Sequence, residues 1–381
     1  MDTLTDKYIQ EMSSELMKGF ATRTGVAEED GKANRRYLWT DAFAVLNFLA
    51  LLEVCDDSEF EDQALRTIKE VHYHLGKFAE HDPRDGWISN LPEERAEKHP
   101  TIGGLRIGKQ LPERKPEQLY DQKLEWERDG QYYHYHTRWI NALLKASKHF
   151  ERKKFALWAT ELSLAGSQFI SDREGKLKMY WKMSVDLSRP LVPVMGAHDP
   201  LEGLICALQV LQSDLSYKEE FDIYTEKLKK LCGRSDWGTD DALGIGGLLI
   251  NTIRTAELGQ YTDLPECIRP ERILKDAENG LKVFSESFDP EESAEYRLAF
   301  RELGLSLGLR CLHGNLDFLQ ENGLNPEISS EIYSLADEIE HFWIKNENRR
   351  APTFVDHLDI SEVSLAASIL SRERPDIYSR L

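Results

Sequence analysis

Apolar positions recur at three- and four-residue spacing along most of the chain. They predict helices near 3–20, 36–54, 58–79, 131–150, 152–172, 198–212, 217–232, 240–257, 265–287, 292–312, 329–346 and 358–371. Pro and Gly punctuate the gaps, as at Asp82-Pro83, Asp199-Pro200 and Asp289-Pro290. Two kinds of helix alternate. In 217–232, Phe221, Tyr224, Leu228 and Leu231 share one face while Glu and Lys fill the others, as on a helix half in water. The stretches 41–52, 201–211 and 241–250 are instead apolar around most of the circumference, as in helices enclosed by protein. Several of the enclosed helices carry Gly203, Gly244, Gly246, Gly247, Gly304 or Gly308, each weaker than Ala by about 1 kcal/mol in a helix interior. Close backbone approach between neighbours would offset that cost.

Strict alternation of exposed and enclosed helices, six times over, predicts two concentric rings. The 381 residues give about 64 per helical pair, enough for two helices and two loops. No low-complexity linker interrupts the chain, so the expected fold is all-α, a single (α/α)6 toroid domain over 1–381. The stretches Arg36-Tyr-Leu-Trp-Thr-Asp-Ala-Phe43, Asp129-Gly-Gln-Tyr-Tyr-His-Tyr-His-Thr-Arg-Trp139 and Gly196-Ala-His-Asp-Pro-Leu-Glu-Gly203 place aromatic and polar residues just before enclosed helices. In this the chain resembles the six-hairpin glycosidase-like superfamily, which includes many glycoside hydrolases and the acylglucosamine 2-epimerases. The resemblance spans nearly the whole chain and implies the fold and a carbohydrate substrate class.

In such a toroid the inner helices start at one face, around the mouth of a cavity. The candidate catalytic residues there are Asp41, Glu125, Asp129, His136, Asp199, Asp240 and Asp241. Tyr37, Trp39, Trp87, Arg106, Tyr133, His134, Arg138, Trp181, His198, Trp237, Tyr296 and His357 are the candidates for substrate binding. A plainer reading competes with this one. Asp41, Asp199, Asp240 and Asp359 stand where helix N-caps belong, and Asp is a preferred cap. Capping does not require Trp39, Tyr133, His136, His198 or His357 beside it. His134 and His136, two apart, point in different directions on a helix.

Two irregular stretches fall on the same face. The 80–130 loop is long enough to be functional, and its Trp and Gly content suggests an ordered rim. Its Gly103–Gly108 turn could cradle a phosphate but lacks the spacing of a known phosphate loop. Residues 176–186 alternate with a period of two, Leu177, Met179, Trp181, Met183 and Val185 against polar neighbours, which predicts a strand with one buried face in a short hairpin.

Composition narrows the partners. The chain has 48 basic and 67 acidic side chains, a formal net charge of −19, which argues against nucleic acid and against an anionic membrane surface. No apolar run approaches the roughly 18 residues of a spanning helix, and the N-terminus lacks the apolar core of a secretory signal. Cys55, Cys206, Cys232, Cys267 and Cys311 are odd in number and far apart, reading as reduced thiols of a cytoplasmic protein. Cys311-Leu312-His313 invites comparison with the zinc of lanthionine-cyclase-like toroids. It falls at the wrong end of its helix, with the other cysteines distant in sequence, so neither a metal nor another cofactor is expected. Ser-His-Asp catalysis has no G-x-S-x-G elbow.

An aromatic pocket with Asp, Glu, His and Arg suits a polyhydroxylated ligand, a small molecule or an oligosaccharide. Carboxylates outnumber histidines at the expected mouth, which favours a glycoside hydrolase with a carboxylate acid/base pair. The alternatives are a sugar epimerase or isomerase using His, or a non-catalytic toroid binding a saccharide or protein partner.

Overall fold

The computed structural model describes residues 5–28, 35–173, 175–213 and 217–381. Twelve long helices carry the architecture: α1 (Asp6–Thr24), α2 (Leu38–Cys55), α3 (Glu59–Leu75), α4 (Tyr133–His149), α5 (Lys153–Gly166), α6 (Asp199–Ser213), α7 (Lys218–Cys232), α8 (Ala242–Gly259), α9 (Pro270–Ser287), α10 (Ala299–Gly314), α11 (Ser330–Ile344) and α12 (Leu358–Leu370). Each answers one of the helices expected from periodicity. Residues 3 and 4 of the first lie outside the described residues. Ends differ where local chemistry intervenes. Helix α9 starts at Pro270, whose ring suits a first helical turn and whose missing N–H costs nothing there. Helix α5 stops at Gly166, earlier than residue 172, and the chain turns into a strand.

Burial follows the two kinds of helix. On α7 and α9 the buried side chains form one stripe, whereas most of α6, α8, α10 and α12 is enclosed. Helix α2 corrects one expectation, because by length and composition it suffices to cross a membrane, with mean hydropathy 1.6 over 18 residues. That measure tolerates Asp41, Asn47 and Glu53 among the apolar residues. The helix is 72% buried within the protein.

The chain divides into two compact units. One comprises Met1–Arg23, Leu46–Asp62 and Asp236–Leu381, and holds both ends of the chain. The other, the middle unit, comprises Thr24–Val45 and Gln63–Ser235.

In the terminal unit α8 packs on α10, and α10 on α12. Glycines make the first approach possible. A Cβ on Gly246 would run into the carbonyl of Gly304, and one on Gly308 would lie 2.6 Å from the Cα of Gly246. Polar groups inside this packing are paired. Glu340, with no exposed surface, accepts from Ser306 at 3.0 Å, Ser368 at 2.8 Å, Arg310 and Arg372. Asn47 donates to the carbonyl of Val363 at 2.9 Å and accepts from Tyr378 at 2.8 Å.

In the middle unit α4 packs on α5 and α6, and α6 on α7. Two small antiparallel sheets accompany them. The strands β1 (Gln131–Tyr132), β4 (Lys182–Met183) and β5 (Pro190–Val192) form one sheet, in the order β1-β4-β5. The strands β2 (Ile170–Arg173) and β3 (Lys176–Met179) form a hairpin with Ile170 opposite Met179. The single strand expected over 176–186 is therefore broken at Tyr180-Trp181. Its alternation fails beyond the break, where Lys182 and Ser184 are buried too. Lys182 tolerates this because its ammonium donates to the carbonyls of Glu125 and Arg128 at 2.6 and 2.8 Å.

Replacing Gly246 by Ala should lower stability by about 1–3 kcal/mol, since overpacking outweighs the gain in helix propensity. Urea midpoints of Gly246→Ala and the wild type would show it; an unchanged or higher midpoint means the backbone contact does not limit packing.

Candidate active site

Strand β1 leads straight into α4, so Tyr132 to Arg138 occupy a strand end and the first helical turns within a few residues. Their side chains divide by direction. Tyr133 and His136 go inward. The Tyr133 hydroxyl meets that of Tyr224 at 2.5 Å, while its ring packs edge-on to Phe169. His136 Nε2 lies 3.2 Å from the Leu105 carbonyl and 3.4 Å from the Leu105 amide, and its buried Nδ1 has no hydrogen-bond partner. Tyr132, His134 and Tyr135 form an aromatic group instead, with centroids 4.7–5.3 Å apart. The Tyr37 hydroxyl lies 2.6 Å from that of Tyr135, joining the start of α2 to the group. Trp181 stacks on His134 at 5.7 Å, and its Nε1 donates to His134 Nδ1 at 2.9 Å. That bond requires Nδ1 to be an acceptor, so the neutral ring carries its proton on Nε2.

Acidic chemistry enters from α6. Arg138 donates to Glu202 Oε1 at 2.5 Å and Thr137 to Glu202 Oε2 at 2.8 Å. Asp199 lies one turn earlier on α6, where its Oδ2 accepts from the Gly196 amide at 3.0 Å. Burial pushes the Asp199 carboxyl up to about 8 and the Glu202 charge adds to this, against the Gly196 amide and Arg138. Asp199 is thus protonated at neutral pH. Burial lowers the histidines in the same surroundings, His134 to about 3 and His136 to about 4. Both are neutral when Asp199 still holds its proton.

The structure therefore gathers Tyr37, His134, Arg138, Trp181 and Asp199 in the middle unit, with half-exposed His198 next to Asp199 in sequence. Sequence reasoning left Glu202, Tyr132 and Tyr135 off its candidate sites. The i, i+3 spacing of Asp199 and Glu202 was the available signal for the first. The period-two step of β1 was the signal for Tyr132.

Other candidates in this unit hold the fold. Asp41 reaches back to the Tyr37 amide at 3.0 Å and pairs with Arg36 at 3.3 Å. Glu125 is clasped by Arg114 at 2.9 Å and Lys182 at 3.2 Å. Asp129 pairs with Arg106 and accepts from the Gly108 and Lys109 amides at 3.1 and 3.2 Å. The turn considered as a phosphate cradle is thus occupied by the protein's own carboxylate. Gly108 is needed in it, with φ near 99° and the carbonyl of Arg36 where a Cβ would be. Arg106 also donates to the carbonyls of Lys77 and His74, at 2.7 and 2.8 Å. Trp87 donates to Glu93 at 2.9 Å, and Trp39 is buried 4.5 Å from Phe43.

The remaining candidates belong to the terminal unit. Trp237 is fully buried and donates to the Cys267 carbonyl at 2.9 Å. Asp240 is exposed; the N-cap of α8 is Asp241, which accepts from the Gly244 amide at 2.9 Å and pairs with Arg301. His357, not Asp359, stands at the N-cap of α12, its ring 5.6 Å from Phe300, while Asp359 accepts from Arg23 at 3.0 Å. Tyr296 is 76% exposed.

A cavity of about 540 Å³ in the middle unit lies apart from these groups. It is lined by Ile102, Glu161, Leu164, Gln168, Asp186 and Leu187 among others. Among the described residues no three His, Cys, Asp or Glu side chains gather as metal ligands would. All five cysteines are free.

No protein-family profile matches the chain, and no characterised protein matches it by sequence. Solved structures do match. A GH76 alpha-mannanase of Bacteroides thetaiotaomicron aligns at TM-score 0.57 and 9% identity, over 98% of this chain and 96% of its own. An inactive variant of the alpha-1,6-mannanase of Salegentibacter sp. HEL1_6, in complex with alpha-1,6-mannotetrose, aligns at 0.55 and 12%, over 97% and 100%. A D-mannose isomerase aligns at 0.54 and 11%, over 97% and 99%. The chain shares the (α/α)6 fold of these solved structures. At such identities the likeness shows the fold, and function has to be argued from the site.

Buried neutral histidines make stability depend on acidity. Below pH 6.5 the unfolded chain takes up protons that native His136 does not until about pH 4, so stability falls with pH across that window. In His136→Gln, the loss between pH 7 and 5 should shrink by about 1–2 kcal/mol. Urea titrations at the two pH values measure this, and an unaltered loss would mean His136 protonates freely in the folded protein.

Proposed function

We propose that this chain is a carbohydrate-active enzyme, a glycoside hydrolase whose proton donor is Asp199, working as a single domain. The observation that carries the reading is a buried carboxyl held protonated near neutral pH beside the Arg138–Glu202 pair and a group of aromatic rings. In hydrolysis Asp199 would give its proton to the glycosidic oxygen as the bond to the anomeric carbon breaks. A second carboxylate must then serve a water or the anomeric centre. Glu202 is the candidate for it, three residues on, its oxygens held by Thr137 and Arg138. Aromatic faces at Trp181 and Tyr37 suit the apolar sides of a sugar ring. The mannanases and the mannose isomerase of like fold make mannose-type sugars the first to try.

One observation favours a second reading, isomerisation or epimerisation of a free sugar. Asp41, Glu125 and Asp129 are tied into ion pairs, and both Glu202 oxygens are engaged, which leaves few carboxylates for a hydrolytic pair. Half-exposed His198, adjacent to Asp199, would then be the second proton carrier.

Screening neutral aryl mannosides and mannose oligomers for hydrolysis, and free mannose for conversion to a ketose or epimer, separates the two. Asp199→Asn should lower turnover by about 10²–10⁴-fold while leaving the folded structure intact. Because the acid must be protonated, wild-type turnover should be retained below and lost above a pH of about 8. Full activity in Asp199→Asn would remove this residue from the mechanism, and no turnover on any sugar would leave only the binding protein.

A further inference from the structure

The cavity of about 540 Å³ belongs wholly to the middle unit and takes no part in the chemistry proposed for Asp199. Helix α5 supplies one wall, where Glu161, Leu164 and Ala165, at i, i+3 and i+4, share a face. Ile88, Leu91 and Ile102 come from the 80–130 loop, and Ile102 is 44% exposed. Leu187 is added by the turn between β4 and β5. Its φ is 58°, a left-handed conformation that a leucine keeps only where its surroundings hold it. Asp186 does the holding, accepting from the hydroxyls of Ser184 and Ser188 at 2.7 Å each. The cavity is thus preformed.

Glu161 is the buried ionisable group in this lining, only 2% exposed. Burial pushes its carboxyl up, against the pull of His99 and Thr101. The His99 Nδ1 lies against Oε1. The Thr101 hydroxyl is 3.3 Å from Oε2 but 2.8 Å from the Trp158 carbonyl, and its single proton goes to the nearer acceptor. Among the described residues Oε2 is therefore left without a donor, where burial makes the omission costly. The surrounding charge selects what supplies one. Among the described residues the lining holds no Lys, Arg or His, and its other ionisable groups are Asp186 and Tyr217. Asp186 shares one guanidinium, Arg84, with Asp82 and Glu113, at 3.0, 2.8 and 2.7 Å, so negative charge is in excess. Arg189, next to Ser188 in sequence, donates to the Arg114 carbonyl instead. An anion is repelled from such a lining. An ammonium group brings both the missing hydrogen bond and the missing charge.

We infer that this cavity is a second ligand site, separate from the Asp199 group, for a small organic amine, with the ammonium on Glu161 and an apolar body against Ile88, Leu164 and Leu187. Such a site stands whether or not Asp199 acts on a sugar. Three probes of nearly one shape, 2-phenylethylamine, 2-phenylethanol and phenylacetate, are titrated by calorimetry near neutral pH. The amine should bind roughly 10-fold or more tighter than the alcohol, and phenylacetate should bind weakest. Glu161→Gln should remove the amine's advantage while leaving the alcohol unchanged. Ile102→Lys, at a half-exposed position, should weaken the amine by a similar factor through like-charge repulsion. Asp199→Asn should bind the amine as the wild type does. Equal affinity for amine and alcohol, an advantage that survives Glu161→Gln, loss of the amine in Asp199→Asn, or no binding of any probe would overturn the site. Should Glu161→Gln fail to fold, Ile102→Lys decides, and unchanged amine binding there overturns it too.

Discussion

Exclusion of water from the first turns of α4 and α6 is the constraint on which the middle unit's chemistry depends. Tyr132, Tyr133, Tyr135 and His136 are buried at the start of one helix, Asp199 and Glu202 at the start of the other. Once dry, a carboxyl keeps its proton and an imidazole refuses one, so neighbouring groups of opposite type become neutral together. Dryness also makes an unpaired charge expensive, which is why Glu202 has both Thr137 and Arg138, and Lys182 has Glu125 and two carbonyls. A carboxyl that keeps its proton near pH 7 is the outcome of how these helices begin.

The terminal unit obeys the same constraint with different means. Its enclosed helices come together through glycine, at Gly246, Gly304 and Gly308, and then accommodate Glu340 by surrounding it with two arginines and two serines. Glycine removes volume where backbones must touch, and the Glu340 cluster supplies the partners that a buried carboxylate demands.

Much of this was legible in the sequence, unevenly. Helix existence was, because a three-to-four spacing over fifteen residues leaves few other structures, and the interior glycines announced close approach before any coordinate. Site residues were harder. Asp41, Glu125 and Asp129 looked like catalytic carboxylates because a sequence displays residue type and not partners. Their cations, Arg36, Arg114, Lys182 and Arg106, sit up to 57 positions away. Lys182 also broke the expected alternation of its strand, since a lysine is written as surface until its buried acceptors are known. The capping residue of α8 was misplaced by one position for a smaller reason: in Asp240-Asp241 either side chain could turn back, and only backbone geometry decides.

The turn around Gly108 carries a consequence for what the protein can admit. Its amides already house an anion that is covalently part of the chain, so Asp129 competes at an effective concentration no free solute attains. A free phosphate or sulfate approaching this turn would meet a berth already taken by an internal tenant.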